Sequence, residues 1–106
     1  MFQIGSEVFA EKDVMDARAL PDIDGMVYIL VTLEPAAGEK LFVLTQSQIG
    51  KALDVKLNGR ILVSPTIMEP IAGGTFQISG RFSLLEGEDL ARLISGKNPL
   101  PDSLDE

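Results

Sequence analysis

The chain contains no cysteine and no histidine. The first absence excludes disulfides and thiolate nucleophiles, and the second excludes imidazole bases. Together they remove most zinc and transition-metal sites, and neither a metal nor a cofactor is expected. The lack of cysteine leaves the compartment open, because it suits the cytosol and a periplasm equally. Basic residues are scarce: 9 Lys and Arg stand against 16 Asp and Glu, for a net charge of −7. They are scattered and form no stripe that would neutralise phosphates, so nucleic acid is not an expected partner. The acidity reads as ordinary solubility. No apolar run approaches the ~20 residues that a bilayer-spanning helix needs. The opening residues, MFQIGSEVFAEKD, have neither the basic start nor the apolar centre of a signal peptide. The chain is therefore expected to be cytosolic, or else a mature or excised piece.

What is present is enough for one domain. A chain of 106 residues, 45% of them hydrophobic, can bury an ordinary core without staples. The organising stretch is Gly59 to Phe82, GRILVSPTIMEPIAGGTFQISGRF. Two strand-like runs, Arg60–Ser64 and Phe76–Gly80, flank a loop that carries Pro65, Pro70, Gly73 and Gly74. In the second run Phe76, Ile78 and Phe82 fall on one face, and Gln77, Ser79 and Arg81 on the other. That is the period of a strand with one buried side.

The remaining elements follow from period and punctuation. Residues 1–12 are weakly strand-like, interrupted by Gly5, and read as an arm or edge strand; a turn of helix follows near Glu11–Asp16. Met15–Leu20 alternates as a strand, and Pro21-Asp22-Ile23-Asp24-Gly25 is a turn. Met26–Leu33 is apolar on both faces and reads as a central strand. Glu34 and Pro35 stop it. A helix is expected from about Ala37 to Ile49, with Ala37, Leu41, Phe42, Leu44 and Ile49 as its buried stripe and Gly50 as its cap. Leu53, Val55 and Leu57 alternate before Asn58-Gly59, the strongest short hairpin signal, which favours a type I′ turn. Ser83 and Glu86 have capping-box spacing and open a helix to Ser95, with Leu90, Leu93 and Ile94 inward and Gly96 as its cap. Residues 99–106 are expected to be an acidic, flexible tail after a single domain over 1–98. The fold class is α+β: a mostly antiparallel sheet with two helices packed on one face.

Few residues invite chemistry. Asp13 with Asp16, or Asp22 with Asp24, could pair as carboxylates, but both pairs fall in polar segments and read as caps and turns. Asp22-Ile23-Asp24-Gly25 lacks the later ligands of a calcium loop. Gly73-Gly74 and Ser79-Gly80 match neither a phosphate loop nor a nucleophile elbow, and they read as loop geometry. The loop residues Pro65, Ile67, Met68, Pro70 and Ile71 are the candidate contact. They either close one end of the core or present flexible apolar side chains to a partner.

Taken in order, the motifs resemble the SecD family and its fused SecDF form, in the head subdomain of the first large periplasmic domain. The residues are Thr45 with Ile49-Gly50-Lys51, Asn58-Gly59, Pro65, Glu69-Pro70-Ile71 and Gly73-Gly74. They continue with Ile78-Ser79-Gly80, Phe82, Leu90-Ala91, Ser95-Gly96 and Leu100-Pro101, while Asp13-Val14 and Asp16-Ala17 resemble the family's opening strand. The resemblance implies the head's α+β fold and a periplasmic, non-enzymatic role. It also implies unfolded or translocating polypeptide, or components of an export machinery, as partners. The membrane helices and base subdomain of a full SecD have no counterpart in this sequence. A second expectation is an assembly module that docks through a sheet edge and has no client peptide.

Overall fold

The computed structural model describes residues 1–101. The N-terminal residues form a tight hairpin: β1 (Phe2–Ile4) and β2 (Glu7–Phe9) are joined across Gly5 and Ser6. β1 is not an arm. It pairs on its other side with β5 (Val55–Leu57), in the register Phe2↔Leu57, so of the two hairpin strands β2 alone lies at the sheet's edge. The reason is burial, since Phe2 and Phe9 are among the most buried side chains and lie 6.2 Å apart. β5 turns into β6 (Arg60–Val63) through Asn58 and Gly59, both with positive φ, as a type I′ turn requires. This sheet has the order β2-β1-β5-β6.

The second sheet, in the order β3-β4-β7, is antiparallel as well. β3 (Val14–Pro21) and β4 (Val27–Leu33) form its long hairpin, and β7 (Thr75–Ser79) lies on the far side of β4. Along β4, Val27, Ile29, Val31 and Leu33 are buried, while Tyr28, Leu30 and Thr32 are half-buried. The strand that reads as apolar on both faces is thus covered on one. The expected alternation of β7 holds: Ile78 is buried, Phe76 and Phe82 pack on the core, and Gln77, Ser79 and Arg81 are exposed.

The fold is α+β, with the strands divided between two antiparallel sheets rather than one. Phe2 of the first sheet stacks on Phe76 of the second at 6.3 Å and 5°, so the two inner faces share one core. α1 (Pro35–Gln46) and α2 (Leu84–Ser95) complete it. α1 buries Ala37, Gly38, Leu41 and Thr45, and it ends three residues short of Ile49, which is 46% exposed beyond it. Ser47, not Gly50, caps it. Phe42 is only half-buried. α2 opens on the expected capping box, in which Ser83 Oγ accepts from Glu86 N–H and Glu86 Oε1 accepts from Ser83 N–H. Its inward residues are Gly87, Ala91, Ile94 and Ser95; Leu93 is 54% exposed rather than inward. Gly87 lets the helix close on the sheet. A Cβ there would lie 3.0 Å from both Ala19 Cβ and Val27 Cγ1.

Candidate functional site

The loop after β6 is held in place rather than draped. Ile67 N–H donates to the Lys51 carbonyl at 2.9 Å, and Gly50 N–H donates to the Ile67 carbonyl at 2.7 Å. Leu53 N–H reaches the Pro65 carbonyl at 3.0 Å, with Ala52 and Thr66 bridged between them. At the far end Ile71 N–H donates to Thr45 Oγ1 at 2.9 Å. Gly74 then passes so close to α1 that a Cβ on Gly38 would lie 3.0 Å from its Cα. The loop is thus stitched on both sides of Met68, Glu69 and Pro70.

This stitching separates the five candidate residues. Ile67 is 6% exposed and belongs to the core, and Ile71 is half-buried against it. Pro65 is exposed, Pro70 is half-buried, and Met68 is 79% exposed. Ile67 thus closes the core, whereas Met68 faces water. Beneath them is a cleft of about 270 Å³, lined by Pro65, Ile67, Met68 and Ile71 from the loop but not by Pro70. Its other walls come from Ile4, Leu53, Val55 and Val63 on the first sheet's side and from Phe76 and Gln77 on β7. Glu69 is the one ionisable residue among its lining. The volume falls below the ~300 Å³ at which drug-sized ligand pockets begin, so it suits inserted side chains better than a whole cofactor. The residues missed in the sequence are the strand residues. Alternation marked Leu53, Val55 and Phe76 as inward and Gln77 as outward, but nothing local showed that residues of both sheets border one opening.

The carboxylates fall apart as sites. Asp13 Oδ2 accepts from Ala10 N–H at 2.9 Å and Asp22 Oδ1 from Ile23 N–H at 2.6 Å, which are turn roles. Asp16 departs from the sequence reading. It lies within β3 at a register shift, buried, not in a polar turn. Its Oδ2 accepts from Arg18 Nε at 2.7 Å and its Oδ1 from Leu100 N–H at 2.7 Å. Arg18 also donates to the Leu100 carbonyl at 2.7 Å, so both backbone groups of Leu100 are held. Of the acidic tail expected over 99–106, residues 102–106 lie outside the described residues. Burial pushes the Asp16 carboxyl up, but Arg18 and the Leu100 N–H, with help from Lys97, hold it below its ordinary range. Among the described residues no three carboxylates gather into a metal-binding group. Gly73-Gly74 and Ser79-Gly80 bracket β7, where the chain enters and leaves the strand.

Two antiparallel sheets sharing a core with two helices, and parting over an apolar cleft, define the class as a small α+β domain. Residues 4–100 match the family model of the SecDF P1 head subdomain, and the chain belongs to that family. It is 33% identical over 97 residues to protein translocase subunit SecD of Acidaminococcus fermentans, covering 91% of this chain and 23% of that protein. It is also 33% identical over 99 residues to protein translocase subunit SecDF of Thermus thermophilus, covering 92% of this chain and 14% of that protein. A solved structure of SecDF, described as a membrane component that enhances protein export, superposes with a TM-score of 0.79 at 32% identity. That match covers 92% of this chain and 44% of the solved one. The super-membrane-facing form of SecDF superposes with a TM-score of 0.78, covering 92% of this chain and 13% of that one. The chain thus spans under a quarter of the length of these two translocase subunits. Among its described residues no helix is long and apolar enough to cross a membrane.

Proposed function

We infer that this chain is a non-enzymatic polypeptide-binding domain with an accessory role in protein export, acting in the periplasm or another space outside the cytoplasmic membrane. Residues 1–98 form the binding unit. The partner is unfolded or translocating polypeptide, and the contact is the cleft under Pro65, Ile67, Met68 and Ile71, with Pro70 stiffening its rim. The observation that carries this reading is the exposed Met68 above an apolar cleft whose loop is hydrogen-bonded at both ends. A loop already ordered loses little entropy on binding. Methionine adapts to many side-chain shapes, which suits a client of no fixed sequence. The family's membership of translocase subunits points the same way.

The contact is small, so affinity falls at about 10 µM to 1 mM. With Glu69 the only ionisable residue at the cleft, added salt changes it little. The test is a fluorescence titration with a labelled, permanently unfolded polypeptide, using the parent chain and Met68→Asp. The parent binds in that range and the variant binds at least about tenfold more weakly, since a charge in an apolar contact costs more than 1.4 kcal/mol. Equal binding by the two would clear the cleft of the role. No binding at millimolar polypeptide would reject the reading.

A further inference from the structure

The two sheets have four outer strands, and three of them are guarded. Exposed backbone groups along a sheet margin recruit other strands, and proteins blunt such margins with charge, proline, bulges or cover. At β2, Lys40 Nζ donates to the Val8 carbonyl at 2.8 Å and also pairs with Glu7. At β3, the strand carries a register shift between Val14 and Asp16 and ends in Pro21, and Asp16 and Arg18 hold Leu100 against it. β6 is four residues long, begins with Arg60, and lies across a register shift from β5.

β7 carries no such device within the strand itself, although β6 comes close beside it. Its sequence, Thr75-Phe76-Gln77-Ile78-Ser79, has no charge and no proline, and its pairing with β4 is regular throughout. The ladder also shows which groups it leaves open. Leu33 N–H donates to the Gly74 carbonyl at 2.8 Å, which fixes the phase of the antiparallel pairing. Bonded pairs alternate with unbonded ones, so Phe76 and Ile78 exchange bonds with Val31 and Ile29. The N–H and C=O groups of Thr75, Gln77 and Ser79 therefore turn to the open margin. Gln77 is also a wall of the apolar cleft.

We propose that β7 is a receptor strand: an extended segment of another polypeptide adds to its open margin as a fourth strand of the second sheet. Its backbone bonds to Thr75, Gln77 and Ser79, and its alternate side chains drop into the cleft beside Met68 and Ile71. This rests on the reading that the cleft takes polypeptide, and deepens it by naming the conformation recognised. Backbone pairing is indifferent to sequence, and the uncharged strand and apolar cleft select segments with apolar residues at every second position. Such a client need share no motif.

The test uses the whole chain and two capped synthetic peptides that alternate valine and serine, one with ordinary amides and one N-methylated throughout. Amide exchange is followed residue by residue. With the ordinary peptide near saturation, exchange at Gln77 N–H slows by at least about tenfold, while Phe76 and Ile78, already bonded to β4, change little. The methylated peptide, which cannot donate, binds at least about tenfold more weakly. Equal binding of both peptides with Gln77 unprotected would overturn strand addition and leave polypeptide binding by the cleft intact. Binding of neither peptide, when an unfolded polypeptide is bound, would overturn strand addition too. Failure to bind any of the three would remove the underlying reading as well. Protection of Gln77 without peptide, with a doubled mass in solution, would assign the margin to a second copy of this chain and overturn the choice of occupant.

Discussion

Thr45 in α1 holds Ile71 of the cleft loop. Its hydroxyl, fully buried in α1, donates to the Leu41 carbonyl at 2.9 Å and accepts the Ile71 N–H at 2.9 Å. One side chain thus fixes the downstream end of the cleft loop to a helix. Thr45→Val keeps the shape but leaves the Ile71 N–H without its acceptor. It is expected to cost about 1–3 kcal/mol, the range for a buried donor left unmade. Denaturant melts measure the loss, and faster amide exchange at Ile71 locates it. An unchanged stability would mean that the loop finds another anchor.

Ile78 and Gln77 give opposite outcomes on adjacent positions. Ile78 is 1% exposed, and Ile78→Ala is expected to cost about 2–5 kcal/mol. Gln77→Ala is expected to cost under about 0.5 kcal/mol, as for an outward side chain. Phe76 stacks on Phe2 but is only half-buried, so Phe76→Ala falls toward the lower end of the range for Ile78. Urea melts of the three variants establish the order.

Gly87→Ala sets two effects against each other. Alanine improves a helix interior by about 1 kcal/mol over glycine. The new Cβ, however, would sit 3.0 Å from both Ala19 and Val27, and overpacking costs about 1–3 kcal/mol. Both neighbours are short side chains rooted on strands, so neither can swing aside. The variant is expected to melt at a lower temperature than the parent.

Asp16 makes stability depend on acid. Its pKa in the folded state is depressed below the ordinary 3.8. The carboxylate therefore contributes stability above that ordinary value, and the contribution is lost as pH falls through the lower folded-state value. Asp16→Asn is expected to lower stability near neutral pH and to flatten the acid limb of the stability curve. Melts at a series of pH values, parent against variant, show whether the two curves converge below about pH 4.

These outcomes also mark what the sequence could and could not show. Local signals placed the capping box at Ser83 and Glu86, the Asn58-Gly59 turn and the faces of β7, because each depends on residues close together in the chain. The division into two sheets did not show, because it depends on Phe2 pairing beside Leu57, 55 positions away. Ile49 and Leu93 fit a helical stripe, yet one lies past the helix end and the other faces solvent. Periodicity marks candidates for burial, but tertiary packing decides which are covered. The cleft shows the same limit. Its loop was visible as an apolar segment between prolines, whereas Val55, Val63 and Phe76 border it only because the sheets part there.

The most direct measurement is a methyl NMR experiment on the intact chain with an unfolded polypeptide, looking for intermolecular contacts. The cleft is expected to report them: the Met68 and Ile71 methyls, with Val63 beside them, should show contacts to polypeptide side chains. Contacts gathered instead at Ile23 and Met26, the exposed apolar residues of the β3–β4 turn, would contradict the cleft as the binding site.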